Sequence, residues 1–303
     1  MIQDIKDLGE FAQDAKEIGL NRSNKLKLKY KTSTRISVMA DSIAEIFLEI
    51  ASEQRLQIIQ KISEKNYKIS TMSKEIQATM PEVHRNFNRL VKAGLIEKNA
   101  SGDYSLTVYG NLICKLFPTL EFIEKNKSYF KNHNFGNLPS KFVSRIGELV
   151  NGELISGYVK VIDKWKDIYE NSEKYIKNVL IEVSYSKEIV DILSSKLKSE
   201  IKVNSLFLES AIVSKERKKV LEQKKFEKFL RNDAISRKMD KNLQIIIVAN
   251  EIEAGVSFPT NDGVPDLSKM LYSKDSNFCQ WCLDYFEYSW KKASAFNENK
   301  LKS

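Results

Sequence analysis

The stretch from Ile69 to Thr107 constrains this chain most, because four signals follow one another there in a fixed order. A short helix comes first, with Ser70 or Thr71 to supply a cap oxygen, Ile69, Met72 and Ile76 on its apolar side, and an end at Ala78. Thr79 and Met80 then turn the chain. Pro81 suits the first turn of the next helix, where its missing N–H would have no partner anyway. Val83, Phe87, Leu90 and Val91 fall at i, i+4, i+7 and i+8, so this second helix offers one face to a core, and Ala93-Gly94 stops it. Leu95 to Lys98, Asn99 to Asp103 and Tyr104 to Thr107 read as strand, turn and strand, a hairpin with a polar, glycine-bearing tip.

Two further helices precede this set. Ile43, Ile46, Phe47 and Ile50 recur at helical spacing from Ser42, and Leu56, Ile58, Ile59 and Ile62 continue after Ser52, which is placed to cap the second helix. The whole reads as a winged helix-turn-helix spanning residues 39–110. The polar face of its Met80 helix carries Glu82, His84, Arg85, Asn88, Arg89 and Lys92, side chains able to hydrogen-bond base edges in a major groove. Lys98, Asn99 and Ser101 in the hairpin are placed to meet phosphates or the minor groove. With Thr71 and Thr79 these residues make up the expected DNA-facing set. The competing reading is that any helical protein has short helices with a polar face; the ordered conjunction of four features weighs against it.

Charge agrees with a polyanion partner. The 303-residue chain carries a net charge of +9, and between Leu20 and Gly110 there are 15 Lys and Arg against 9 Asp and Glu. Ile2, Ile5, Leu8, Phe11, Ala15 and Ile18 repeat every three to four residues, as in an amphipathic helix that needs a partner surface. Asn21 to Arg35 follows with no acid at all, and either tracks phosphates or forms a solvated linker. No apolar run is long enough to span a membrane, and Met1 to Gly19 lacks an apolar core and a small-residue cleavage site, so a cytoplasmic location is expected. Three cysteines are too few for a disulfide framework, and two histidines, His84 and His133, leave little room for His-dependent catalysis or His-containing metal sites.

The run Met80 to Ile96 resembles the recognition helix and first wing strand of ArsR-like winged-helix repressors of bacteria and archaea, in its Pro-x-Val start and its apolar seam into Ala-Gly-Leu-Ile. That resemblance implies that His84, Arg85, Asn88 and Arg89 face DNA. The chain departs from the metal-sensing members, because the preceding helix has Met72 and Ser73 where paired cysteines would stand.

After Thr107 a helix runs on toward His133, apolar at Leu112, Ile113, Leu116, Leu120 and Ile123 and kinked at Pro118. Residues 111–135 are read as a linking segment that either joins two subunits or packs within one chain. Beyond Pro139 the pattern alternates. Helices are expected at Lys141 to Leu149, Lys160 to Tyr175, Ser186 to Leu197, Val213 to Phe229 and Ser276 to Ala293; strands are expected at Val179 to Val183, Ile201 to Leu208, Leu243 to Ala249 and Gly255 to Phe258. Asp262-Gly263 is a hairpin-type turn. The expected fold class is therefore α+β, the winged helix-turn-helix joined to an α/β domain with a mixed sheet over residues 136–303, and residues 1–38 an amphipathic helix and basic arm.

From Phe130 to Ala293 the chain resembles the middle and C-terminal domain of archaeal winged-helix regulators of the FilR, or methanogenesis regulatory protein, type. The matching residues are Phe130 with His133, Leu138-Pro139, Arg145-Ile146-Gly147 with Leu149, Asp262-Gly263 with Asp266, Ser273-Lys274-Asp275, Phe278, Trp281 and Trp290. The resemblance implies an effector-accepting domain related to one half of the phospholipase D fold. Phospholipase D chemistry needs His-x-Lys-x4-Asp, and neither histidine has Lys at the second following position, so no enzyme is expected. Arg145, as an anion contact, and Tyr185 and Glu209, at strand ends, are the candidate effector residues, against the alternative of ordinary structural hydrogen bonds. Cys279 and Cys282 lie at i, i+3 inside an apolar helix and are read as core rather than half a zinc site; neither metal nor cofactor is expected.

These readings point to a sequence-specific DNA-binding regulator, dimeric and controlled by a small-molecule effector. A winged-helix protein-docking module without base readout is the alternative.

Overall fold

The computed structural model describes residues 43–183, 187–213 and 234–302. The expected N-terminal helix, the basic arm, Tyr185 and nearly all of the charged helix expected after Val213 lie outside the described residues. Val213 itself ends a strand. The chain forms two compact units, residues 1–115 and 116–303. No helix among the described residues is long and apolar enough to cross a membrane.

In the first unit, α1 (43–50), α2 (Glu53–Glu64), α3 (Ile69–Glu75) and α4 (Met80–Lys92) precede a hairpin of β1 (Ile96–Lys98) and β2 (Tyr104–Leu106), and α5 (Val108–Cys114) closes the unit. Ile58, Ile59, Ile62, Met72, Val83, Phe87, Leu90 and Leu95 are buried together, whereas of the other periodic apolar positions Ile43 and Phe47 are exposed and Ile46, Ile50, Leu56, Ile69 and Ile76 half-buried. Val91 is 41% exposed. At 100° per residue it lies past the edge of a stripe centred on Val83, Phe87 and Leu90, and Asn86 takes a buried place instead, its Nδ2 donating to Gln54 Oε1 at 2.8 Å. The expected caps also differ. Ser52 is the N-cap of α2 but makes no side-chain cap bond, and α3 starts two or three residues earlier than Ser70 or Thr71 as cap suggests, with Lys68 as its N-cap and Glu75, not Ala78, as its last residue. Arg55 compensates at the neighbouring helix end, donating to the carbonyls of Leu48 and Glu49 at the close of α1.

In the second unit the single long helix expected after the hairpin gives way to a separate α6 (Phe117–Lys125), with Pro118 in its first turn, where proline is tolerated, instead of kinking a continuous rod. After α7 (Ser140–Val143), an eight-stranded mixed sheet is built from β3 (Glu153–Ser156), β4 (Tyr175–Val183), β5 (Lys202–Val213), β6 (Ile235–Asp240), β7 (Ile246–Ala249), β8 (Ala254–Ser257), β9 (Lys269–Ser273) and β10 (Ser294–Ala295). The order is β10-β6-β5-β4-β7-β8-β9-β3, with the β4–β5 and β5–β6 pairs parallel and the remaining pairs antiparallel. α8 (Tyr158–Glu170), α9 (Lys187–Lys198) and α10 (Ser276–Lys292) complete the unit. The helix expected to reach Tyr175 ends at Glu170, and Tyr175 opens β4.

Neighbouring residues of a strand point to opposite faces, and β4 uses this to hold a helix on each side. Asn178 accepts from the Tyr169 hydroxyl of α8 at 2.9 Å, while Lys177 donates to Glu287 of α10 at 2.5 Å. With both faces covered, every residue of β7 and β8 is buried.

The segment before the sheet is pinned to it by the residues that stood out in sequence. The Tyr129 hydroxyl accepts from the Phe258 N–H at 3.0 Å, and its ring stacks on His133 at 4.0 Å. His133 joins the Tyr129 carbonyl at 2.9 Å and Asp266 at 2.8 Å. The Trp281 indole donates to the Phe142 carbonyl, and Asn151 donates to Asp275, which caps α10. Gly147 is required for fit: a Cβ there would lie 2.6 Å from the Thr119 backbone nitrogen. Cys279 and Cys282 are buried in α10, and burial pushes the Cys279 thiol up to about 11.

Burial alone would raise the Asp266 carboxyl, but hydrogen bonds from Ser268 and His133 outweigh it and hold the group below its ordinary value. A depressed carboxylate stabilises the fold above its unfolded pKa and loses that contribution as pH falls through the folded value. Asp266→Asn is expected to lower stability at neutral pH and to flatten the decline below about pH 4, read by urea unfolding across pH. An unchanged acid limb would show that the His133 pair does not hold this carboxylate.

Candidate nucleic-acid interface

α4 is set from both ends. At its start the Glu82 carboxylate accepts from the Thr79 N–H at 3.0 Å and the Thr79 hydroxyl at 2.7 Å, and these bonds hold the carboxyl below its usual value. Glu82 and Thr79, both expected to face DNA, are thus engaged with each other. At its end Gly94 has φ +71°, the left-handed region that favours glycine, and the Gly94 and Leu95 N–H groups return to the carbonyls of Val91 and Leu90.

Between these stops His84, Arg85, Asn88, Arg89 and Lys92 are all exposed along one face, opposite the buried Val83, Phe87 and Leu90. Asn88 Nδ2 lies 3.2 Å from His84 Nδ1, one turn away. Among the described residues, Arg85 and Lys92 have no salt-bridged carboxylate partner. Arg89 is held: its guanidinium makes a two-pronged contact with Glu49, Nη2 to Oε1 at 2.6 Å and Nε to Oε2 at 3.0 Å. The Arg89 hydrogen bond holds the Glu49 carboxyl below the usual carboxylate range. Glu49 lies 40 residues before Arg89, and no spacing rule relates them, so only the tertiary packing of α1 beside α4 reveals the pair. Thr71 is exposed on α3.

The hairpin is clasped to α4 by local chemistry. The Thr107 hydroxyl donates to the Gly94 carbonyl at 2.6 Å and accepts from the Gly110 N–H at 2.9 Å. The Tyr104 ring meets Phe87 edge-on at 4.7 Å, and its backbone pairs with Tyr67. Lys98 is exposed, with its ammonium 6.0 Å from the Tyr104 ring. Ser101 donates to Asp103 at 2.8 Å and Asn99 accepts from Ser105, so the two polar tip residues are held within the hairpin.

In the second unit Arg145 is neutralised by carboxylates. Glu148 receives two hydrogen bonds from its guanidinium, each 2.8 Å, and Asp284 lies at 2.7 Å; the Glu148 bond is the largest influence raising the Arg145 pKa. Glu209 pairs with Lys300 at 2.8 Å. The two candidate effector residues among the described residues therefore have separate partners, and the structure does not join them in one pocket.

No protein-family model matches this chain, and no curated protein matches it in sequence. Among solved structures it is similar to TrmBL2, an archaeal chromatin protein described as showing a novel mode of DNA binding, at 12% identity over 81% of this chain and 94% of that one, TM-score 0.37. Nuc from Salmonella typhimurium, a phospholipase D family member, matches at 9% identity over 48% of this chain and 99% of its own, TM-score 0.35. NucT from Helicobacter pylori matches at 11% identity over 48% and 98%, TM-score 0.37. At TM-scores under 0.5 such likenesses establish neither fold nor function for this chain.

The position of the hairpin depends on Gly110. A Cβ there would sit 2.0 Å from the Leu95 carbonyl oxygen, a backbone atom that has no room to move without displacing β1. Gly110→Ala is expected to destabilise the first unit by about 1–3 kcal/mol, read as a lower midpoint in thermal unfolding. Unchanged stability would show that α5 shifts freely against the hairpin.

Proposed function

We propose that this chain is a DNA-binding transcription regulator whose residues 39–110 form a winged helix-turn-helix, with α4 in the major groove and the hairpin as its wing. The observation that carries the reading is the exposed row of His84, Arg85, Asn88 and Lys92 on a helix whose other face is fully buried. The ArsR-like pattern of Met80 to Ile96 supports it. The second unit, in the proposed reading, is the effector domain, of FilR type and related to one half of the phospholipase D fold, with no catalytic step assigned to it. His133, the one histidine there, is occupied by Tyr129 and Asp266.

A dimer fits this reading. Val108, 81% exposed, stands on α5 with exposed Tyr109 and Leu112, and Leu116, Leu120 and Ile123 are exposed on or beside α6. Exposed apolar side chains of this kind, on either helix taken by itself, are what a second copy would cover. Replacing Leu112 and Leu116 with Glu is expected to shift sedimentation from dimer to monomer and to weaken binding to a two-half-site operator; a wild-type chain that sediments as a monomer would overturn the dimer.

A protein-docking module is the second reading, favoured by the exposed Met80 and Val91 beside the polar row. Salt separates the two. On DNA from its own promoter, Arg85→Ala is expected to cost about 1–3 kcal/mol and Lys98→Ala to reduce the salt slope by about 1. Glu49→Gln, which frees Arg89, is expected to tighten binding. Affinity indifferent to salt and to Arg85→Ala would favour docking to protein.

A further inference from the structure

Beside Arg145 lies a cleft of about 490 Å³ between α7 and the last turns of α10. Four cationic side chains line it, Lys141, Arg145, Lys291 and Lys292, against two carboxylates, Asp284 and Glu287. Both carboxylates are already committed, Asp284 to Arg145 at 2.7 Å and Glu287 to Lys177 at 2.5 Å. Lys141, Lys291 and Lys292 are exposed and, among the described residues, have no salt-bridged carboxylate partner. Two of these ammoniums share one aromatic ring: Lys141 Nζ lies 4.0 Å and Lys292 Nζ 4.1 Å from the centre of Tyr288, and Lys292 also hydrogen-bonds the Tyr288 hydroxyl.

A last-turn position accounts for Lys291 and Lys292 through the helix dipole. It does not account for Lys141, which comes from a different helix and converges on the same ring. Cations that outnumber the carboxylates beside them in a concavity repel one another until an anion joins them. The cleft's size is that of a small-molecule site. Arg145, clamped between Glu148 and Asp284, fixes the wall and is not the ligand contact.

We propose that this cleft binds a small molecule through a phosphate or pyrophosphate group held by Lys141, Lys291 and Lys292. The inference deepens the proposed function by giving the effector a site and a chemical class, while the binding itself is independent of DNA.

The test uses the full chain without DNA, titrated with inorganic pyrophosphate at about 0.15 M salt, followed by calorimetry and by phosphorus NMR line width. Saturable binding to one site is expected. It should weaken about tenfold or more when Lys141, Lys291 and Lys292 are all replaced by Gln, and measurably with the exposed Lys291→Gln alone, whereas Arg85→Ala leaves it unchanged. Absence of saturable binding, or equal binding by the triple variant, overturns the site. A triple variant that only lowers the salt slope of DNA binding, with pyrophosphate inert toward the wild type, would assign the lysines to the DNA backbone and overturn it too. Loss of DNA binding by Arg85→Ala bears on the regulator reading alone, so the two fail separately.

Discussion

A helix turns 100° per residue, so complete burial of Val83, Phe87 and Leu90 decides which side chains of α4 are left for solvent. The rest of the first unit follows from that seam. α4 packs against α2 and α3, Phe87 receives the Tyr104 ring and with it the hairpin, and the Schellman-type stop at Gly94 aims β1 away from the helix end. The polar row is thus a by-product of packing as much as a feature of its own, which is why its orientation is rigid.

Much of this was legible in the sequence, because it rests on local rules. The apolar spacing of α2 and α4, the proline in the first turn, the Ala-Gly stop and the polar hairpin tip each act within a few residues. What escaped was tertiary. Val91 satisfies i+8 yet falls off the seam, while polar Asn86 is buried because Gln54 is there to receive it. Glu82 reads as a face residue until its bond to Thr79 shows a capping box, a signal present in the sequence as Thr-x-x-Glu. Glu49 carries no such signal, since only folding brings it to Arg89.

In the second unit the alternation of helices and strands was readable, but β3, β6, β9 and β10 were not. β3 and β9 are four and five residues long, and β6, Ile-Ser-Arg-Lys-Met-Asp, lacks alternation because it sits at intermediate exposure near the sheet edge. The motif residues proved to be fasteners. His133, Asp266, Trp281 and Asp275 tie the segment ahead of the sheet to its C-terminal strands and helix, using hydrogen bonds whose partners are more than a hundred residues apart. Arg145, chosen for its charge, turned out to brace a wall, and its uncommitted neighbours Lys141, Lys291 and Lys292 are visible as a group only after α7 and α10 meet.

Those fasteners also set an order of events. Contacts within the first unit span a few dozen residues, whereas β3 must find β9 and His133 must find Asp266 across most of the second unit. Loop closure over such separations is slow, and during synthesis the distal partner does not yet exist. On these grounds the α4 unit can complete its core while β3 is still without β9, its backbone edge unpaired. A nascent chain of this design acquires its first fold early and its second only after β9 and Asp266 have been made, and the interval between them is when self-association competes most strongly with the native sheet.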